Sequence, residues 1–166
     1  MKSVVITGVS TGIGYGCAAD LCRRGYRVFG SVRTAGDAER LQRELGNAFT
    51  PLVFDVTDAG AVKEAAAQVK SAVGNEGLSG LVNNAGISKP GPLATLPPDD
   101  VRQHFEVNVM GVVHAVQAFL PLLRRAKGRI VNISSVSGRI AYPFMGPYAA
   151  SKHALEALSD SLRRSS

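Results

Sequence analysis

Thr7-Gly8-Val9-Ser10-Thr11-Gly12-Ile13-Gly14 is the stretch that decides the fold. It follows a short apolar run over 4–7. It opens a helical pattern over 13–24, in which Ile13, Cys17, Leu21 and Cys22 recur on one face before Gly25. A helix start carries free N–H groups and the positive end of the dipole, which suits a phosphate. In that setting Gly8 makes a tight turn, Gly12 lets backbone approach a pyrophosphate, and Gly14 brings the helix close to the sheet. A ligand-free structural turn is the alternative. The placement between an N-terminal strand and a helix favours nucleotide binding.

Outward from this turn, strands and helices alternate along the whole chain. Strands are expected over 4–7, 27–32, 49–54, 80–83 and 129–134. Helices are expected over 13–24, 38–45, 60–73 and 99–125, with a last one from near Tyr148 almost to the end. Gly25, Gly46 and Gly74 close the first three helices, Asp58 can cap the third, and Pro51 suggests an edge strand. Near-continuous apolar strands imply a parallel sheet covered by helices on both faces. Right-handed crossovers then leave an α/β, Rossmann-like doubly wound sheet as the leading arrangement, whose usual order is 3-2-1-4-5 for five strands, in one dinucleotide-binding domain over 1–166.

The chain has 166 residues, 45% hydrophobic and 19% charged, an ordinary globular composition. Its net charge of +6 favours an anionic partner. The basic groups at Arg23-Arg24, Arg124-Arg125-Ala126-Lys127 and Arg163-Arg164 lie near helix ends, where cations suit the dipole. A bound phosphate and a solvated surface account for the charge, and nucleic acid is not expected. Cys17 and Cys22 fit neither a zinc spacing nor a disulfide scaffold, so they read as buried thiols in a reducing compartment. The first apolar run is too short for a signal peptide. The apolar stretch 107–123 is broken by Asn108, His114, Gln117 and Pro121, and reads as a buried helix rather than a membrane span. These features point to a cytoplasmic protein with no membrane partner. His104, His114 and His153 form no ligand cluster and read as structural or exposed, so no metal is expected.

The spacing T-G-x-x-x-G-x-G departs from the common dinucleotide pattern, and further motifs follow it in order. Asp55-Val56 comes after the third strand, Asn83-Asn84-Ala85-Gly86 after the fourth, and Asn108 lies within an apolar helix. Ser135 stands thirteen residues before Tyr148, and Tyr148-Ala149-Ala150-Ser151-Lys152 reads Y-x-x-x-K. Over essentially its whole length the chain resembles the short-chain dehydrogenase/reductase family. The resemblance implies a nicotinamide cofactor bound by Gly8, Ser10, Thr11, Gly12, Ile13, Gly14, Asp55, Val56, Asn83, Ala85, Gly86, Tyr148 and Lys152. It also implies a catalytic set of Asn108, Ser135, Tyr148 and Lys152.

The second strand ends Phe29-Gly30-Ser31-Val32-Arg33, with Val32 where an NAD site usually has an acid. Arg33 can hold a 2′-phosphate through paired hydrogen bonds, with Ser10 and Thr11 adding hydroxyls, so the cofactor is expected to be NADP(H) rather than NAD(H). Tyr148 and Lys152, four apart on a helix, share a face. An ammonium nearby favours a phenolate, so Tyr148 can donate a proton to a carbonyl or take one from an alcohol. Ser135, with Ser134 and Ser137 as neighbouring alternatives, would steady the substrate oxygen. By resemblance, Lys152 also holds ribose hydroxyls, and Asn108 supports a water link to it.

The expected activity is carbonyl/alcohol oxidoreduction. The alternatives are a sugar-nucleotide epimerase or dehydratase, or a non-catalytic dinucleotide-binding module. The family pattern continues past the Tyr–Lys helix with two more strands. A truncated or inactive product is therefore an expectation too, with the fifth strand left at an open edge. Pro143-Phe144-Met145 and the 88–96 loop suit a hydrophobic small molecule. The helices over 101–123 and 148–162 suit a homo-oligomer by resemblance.

Overall fold

In a computed structural model describing residues 1–165, the elements are β1 Ser3–Ile6, α1 Gly12–Arg23, β2 Arg27–Val32, α2 Ala35–Leu45, β3 Phe49–Val53 and α3 Ala59–Val73. There follow β4 Gly80–Asn83, α4 Pro98–Phe105, α5 Gly111–Ala126, β5 Arg129–Asn132 and α6 Gly146–Ser165. The last residue of the expected domain, Ser166, lies outside the described residues.

All five strands are parallel in the order β3-β2-β1-β4-β5, as the alternation predicts. Pro51 sits on edge strand β3, where its missing N–H costs least. Alternate strand residues serve two cores. Val5, Phe29, Leu52 and Leu81 pack with α3, α5 and Leu155 of α6. Val4, Ile6, Val28 and Val32 pack with Ala18 of α1 and Leu41 of α2. At the other edge, Val131 of β5 is 49% exposed. Among the described residues β5 ends the sheet, where an open edge was expected.

Several boundaries differ from the sequence reading. Helix α2 begins three residues early because the Thr34 hydroxyl accepts from the Asp37 N–H and caps it. β5 stops at Asn132, two residues short of expectation. The helix expected over 99–125 is helical throughout, but it is interrupted by a π-helical turn, Glu106–Met110, between α4 and α5. Cys17 and Cys22 are half-buried rather than buried, because α1 turns them toward the edge of its packed face. The span Pro98–Ala126 is long and apolar enough to cross a membrane by length and composition. Here Val112, Ala115, Phe119 and Leu122 lie in the core against α3 and the sheet, as expected of a buried helix.

Candidate active site

The carboxyl ends of the strands open onto one cleft of about 810 Å³. At its floor the glycine turn enters α1. Gly8 and Gly12 lie at positive φ, 69° and 61°. A Cβ on Gly12 would meet nothing within 4 Å, so this backbone is open to a ligand. Gly14 is closed on the other side, where a Cβ would collide with the Gly8 carbonyl and the Asn84 side chain. No side chain caps α1 at Thr11, and its first turn holds no acid. Its leading N–H groups therefore remain available to an anion, and the residues present fit a dinucleotide pyrophosphate.

The turn is held from three sides. Ser31 Oγ accepts from the Gly8 N–H at 2.9 Å. Thr7 Oγ1 accepts from the N–H groups of Asn84 and Ala85, both at 3.0 Å, and Asn84 Nδ2 donates to the carbonyls of Thr7 and Gly8. The Arg40 guanidinium donates to the Ser10 carbonyl at 2.8 Å and to Asp37 at 3.1 Å. The Arg40 hydrogen bond, with one from Thr34, holds the Asp37 carboxyl below the usual carboxylate range.

Of the residues expected at the site, Gly12, Gly14, Asn108 and Ser135 are not among those that line the cleft, whereas Gly8, Ser10, Thr11, Ile13, Arg33, Asp55, Val56, Ala85, Gly86, Tyr148 and Lys152 line it. Asn83 does not. It is buried, and its Nδ2 donates to Asn132 Oδ1 on β5 at 2.8 Å. As the last residue of β4 it points into the sheet layer, and its neighbour Asn84 reaches the turn instead. Thr7 and Asn84 stood inside the quoted motifs without an assigned role, and Ser31 and Arg40 were missed as holders of the turn. Isolated polar residues at strand ends and on a surface helix carry no distinctive spacing.

At the far end of the cleft, Tyr148 and Lys152 rise from the first turns of α6. Lys152 is only 5% exposed, and its Nζ donates to the Ile133 carbonyl at 2.8 Å. Burial pushes the ammonium below the usual lysine range. Nζ lies 5.8 Å from the centroid of the Tyr148 ring. A Cβ on Gly86 would come within 3.8 Å of Nζ and 3.2 Å of Asn108 Oδ1, so glycine leaves room beside this ammonium.

Ser135 does not close β5. It caps the short 3₁₀ turn Val136–Gly138, and its Oγ accepts from the Ser137 N–H at 3.1 Å. That bond uses an acceptor site and leaves the hydroxyl hydrogen free to donate. The adjacent Ser134 lines the cleft, and its buried Oγ has no partner. Asn108 sits behind the cleft in the π-helical turn, 1% exposed and satisfied by Ile87 and Ser151. Such turns reorient single side chains, and they concentrate at functional sites.

The sheet order, the anion-binding turn at its carboxyl edge and the two-ended cleft together define a dinucleotide-binding α/β protein. The sequence profile of the short chain dehydrogenase family matches residues 2–166, and the chain belongs to that family. It is 44% identical to NADPH-dependent 3-dehydrocapnine reductase of Ornithobacterium rhinotracheale, over 99% of this chain and 60% of that protein. It is also 44% identical to retinol dehydrogenase 16 of Mus musculus, over 98% of this chain and 51% of that protein. Among solved structures, an alcohol dehydrogenase from the archaeon Thermococcus sibiricus, complexed with 5-hydroxy-NADP, superposes with a TM-score of 0.92. It shares 31% identity and covers 99% of this chain and 71% of its own. The chain thus spans about half to three fifths of the length of these curated relatives.

Proposed function

We propose that this chain carries an NADP(H)-dependent oxidoreductase site that interconverts a carbonyl and an alcohol on a small apolar molecule. The observation that carries the reading is the two-ended cleft. An open anion-binding turn and Arg33 lie along it with Tyr148 and buried Lys152. The relatives named for NADPH-dependent reduction and for an NADP complex support the cofactor choice.

Gly12 and the start of α1 would hold the pyrophosphate. Arg33, Ser10 and Thr11 would take the 2′-phosphate, because Val32 offers no acid to a ribose hydroxyl. Asp55 and Val56 would flank the adenine end. When bound, NADPH supplies the hydride. Ser135 then donates its free hydroxyl hydrogen to the substrate oxygen, and Tyr148 delivers the proton to that oxygen. Lys152, with one N–H on Ile133, keeps two for the ribose hydroxyls and for charge balance at the phenol.

Leu93 on the loop between β4 and α4, and Ile140, Tyr142 and Phe144 on the segment before α6, are exposed; they would supply apolar surface to a substrate beside Tyr148. The free thiols of Cys17 and Cys22 fit a cytoplasmic setting, and the family resemblance alone suggests a homo-oligomer built on α5 and α6. The test is NADPH oxidation with a panel of apolar ketones. The parent chain is expected to turn over, and Tyr148→Phe to lose about 10²-fold or more in kcat while still binding NADPH. Equal rates for the two proteins would refute the role of Tyr148.

A further inference from the structure

His104 is fully buried on α4, four residues before Asn108. Its Nδ1 lies 2.7 Å from the Asp100 carbonyl, and its Nε2 lies 2.9 Å from the Lys89 backbone nitrogen. A carbonyl only accepts and a backbone N–H only donates. The two bonds together therefore require a neutral ring protonated on Nδ1, with Nε2 accepting from Lys89. Toward α6 the ring meets Tyr148 edge to face, with centroids 6.5 Å apart at 65°.

Asn108 makes the matching contact one helical step later. It accepts from the Ile87 N–H at 2.8 Å and donates to the Ile87 carbonyl at 3.0 Å. Residues 87 and 89 alternate, the spacing at which an extended segment turns its N–H groups to one side. Two helix side chains thus do for this segment what a neighbouring strand would do. The Lys89 ammonium adds a second tie, 2.7 Å from Asp100 Oδ1. Ser88, between the two tethered residues, lines the cleft with Tyr148.

We propose that His104 is a positioning residue for the reaction: as the neutral Nδ1–H tautomer it fixes the cleft wall at Lys89 and seats the ring of Tyr148. It acts through these two residues rather than on the substrate. The inference rests on the reading of Tyr148 as proton donor. The competing explanation is a ring that merely fills the core.

Two substitutions in the full chain separate these explanations. His104→Gln keeps an acceptor for Lys89 and discards the ring. His104→Phe keeps a ring beside Tyr148 and leaves the Lys89 N–H unpaired. Amide hydrogen exchange at Lys89 is expected to be faster by about tenfold or more in His104→Phe and close to the parent in His104→Gln. The KM for an apolar ketone follows the same order, whereas kcat, which depends on the seat of the Tyr148 ring, falls further in His104→Gln than in His104→Phe. The reverse of these orders, or equal effects from both substitutions, would overturn the proposal in favour of core filling. The ¹⁵N resonances of His104 in the parent give a check that needs no variant to fold. A proton on Nδ1 alone is expected, and a ring protonated on Nε2 would overturn the assignment. Exchange and resonance need no turnover, so a chain that oxidises no NADPH would refute the proposed function and leave this inference to be decided on its own readouts.

Discussion

The Asn108 side-chain amide pairs with both backbone groups of Ile87, accepting from its N–H at 2.8 Å and donating to its carbonyl at 3.0 Å. The same Nδ2 reaches Ser151 Oγ on α6 at 3.0 Å. One buried amide therefore joins the loop after β4, the π-helical turn and the helix that carries Tyr148 and Lys152.

Replacing Asn108 with Leu keeps the volume and orphans both Ile87 groups. Leaving them unpaired should lower stability by roughly 2 kcal/mol or more. Urea unfolding measures the loss. Turnover should fall further than NADPH affinity, because Asn108 stands behind the Tyr148 end of the cleft.

Gly14 and Gly16 lie two residues apart in α1 with opposite surroundings. A Cβ at Gly14 runs into the Gly8 carbonyl, whereas one at Gly16 meets nothing within 4 Å. Gly16→Ala should therefore stabilise the helix by about 0.5–1 kcal/mol. Gly14→Ala should destabilise the protein and abolish cofactor binding. Thermal unfolding and NADPH titration of both variants check the contrast.

Lys152 gives a pH dependence of definite sign. Its folded-state ammonium titrates below the usual lysine range because of burial. Between the folded and unfolded values the unfolded chain binds more protons, so stability rises with pH across that window. Unfolding free energies on the alkaline side of neutrality should increase toward the unfolded lysine value. In Lys152→Met that increase should be absent, since no proton is left to differ between the states.

Arg33 separates the two cofactors. Arg33→Asp should weaken NADPH by about a hundredfold, the loss of roughly 2–3 kcal/mol from a paired charged hydrogen bond. NADH should gain or stay level, because the new acid can accept from a ribose hydroxyl. Calorimetric titration of both cofactors is the measurement.

The sheet order was legible because strands covered on both faces, such as Ser3–Ile6, read as apolar runs bounded by glycines. The cradle and the Tyr148–Lys152 pair were legible because turn and helix geometry fix their spacings. Asn83 was placed in the cofactor cleft although it belongs to the β4–β5 contact. Two adjacent amides at a strand end differ only by register, and sequence does not show register. The π-helical turn was invisible because the apolar spacing around Asn108 fits an ordinary helix. Arg40 belongs to no motif in the sequence, and only the fold brings it to the Ser10 carbonyl. His104 was read as structural or exposed. Its part as a partner of Lys89 depends on a loop fifteen residues away in sequence.

Transfer of the label from NADPH carrying deuterium at both positions of the reactive nicotinamide carbon to an apolar ketone is the measurement closest to the proposed chemistry. Mass spectrometry of the product should show one deuterium on the carbinol carbon with the parent chain and far less with Tyr148→Phe. An unlabelled alcohol, or no alcohol from a chain that binds NADPH in the cleft, would contradict the account.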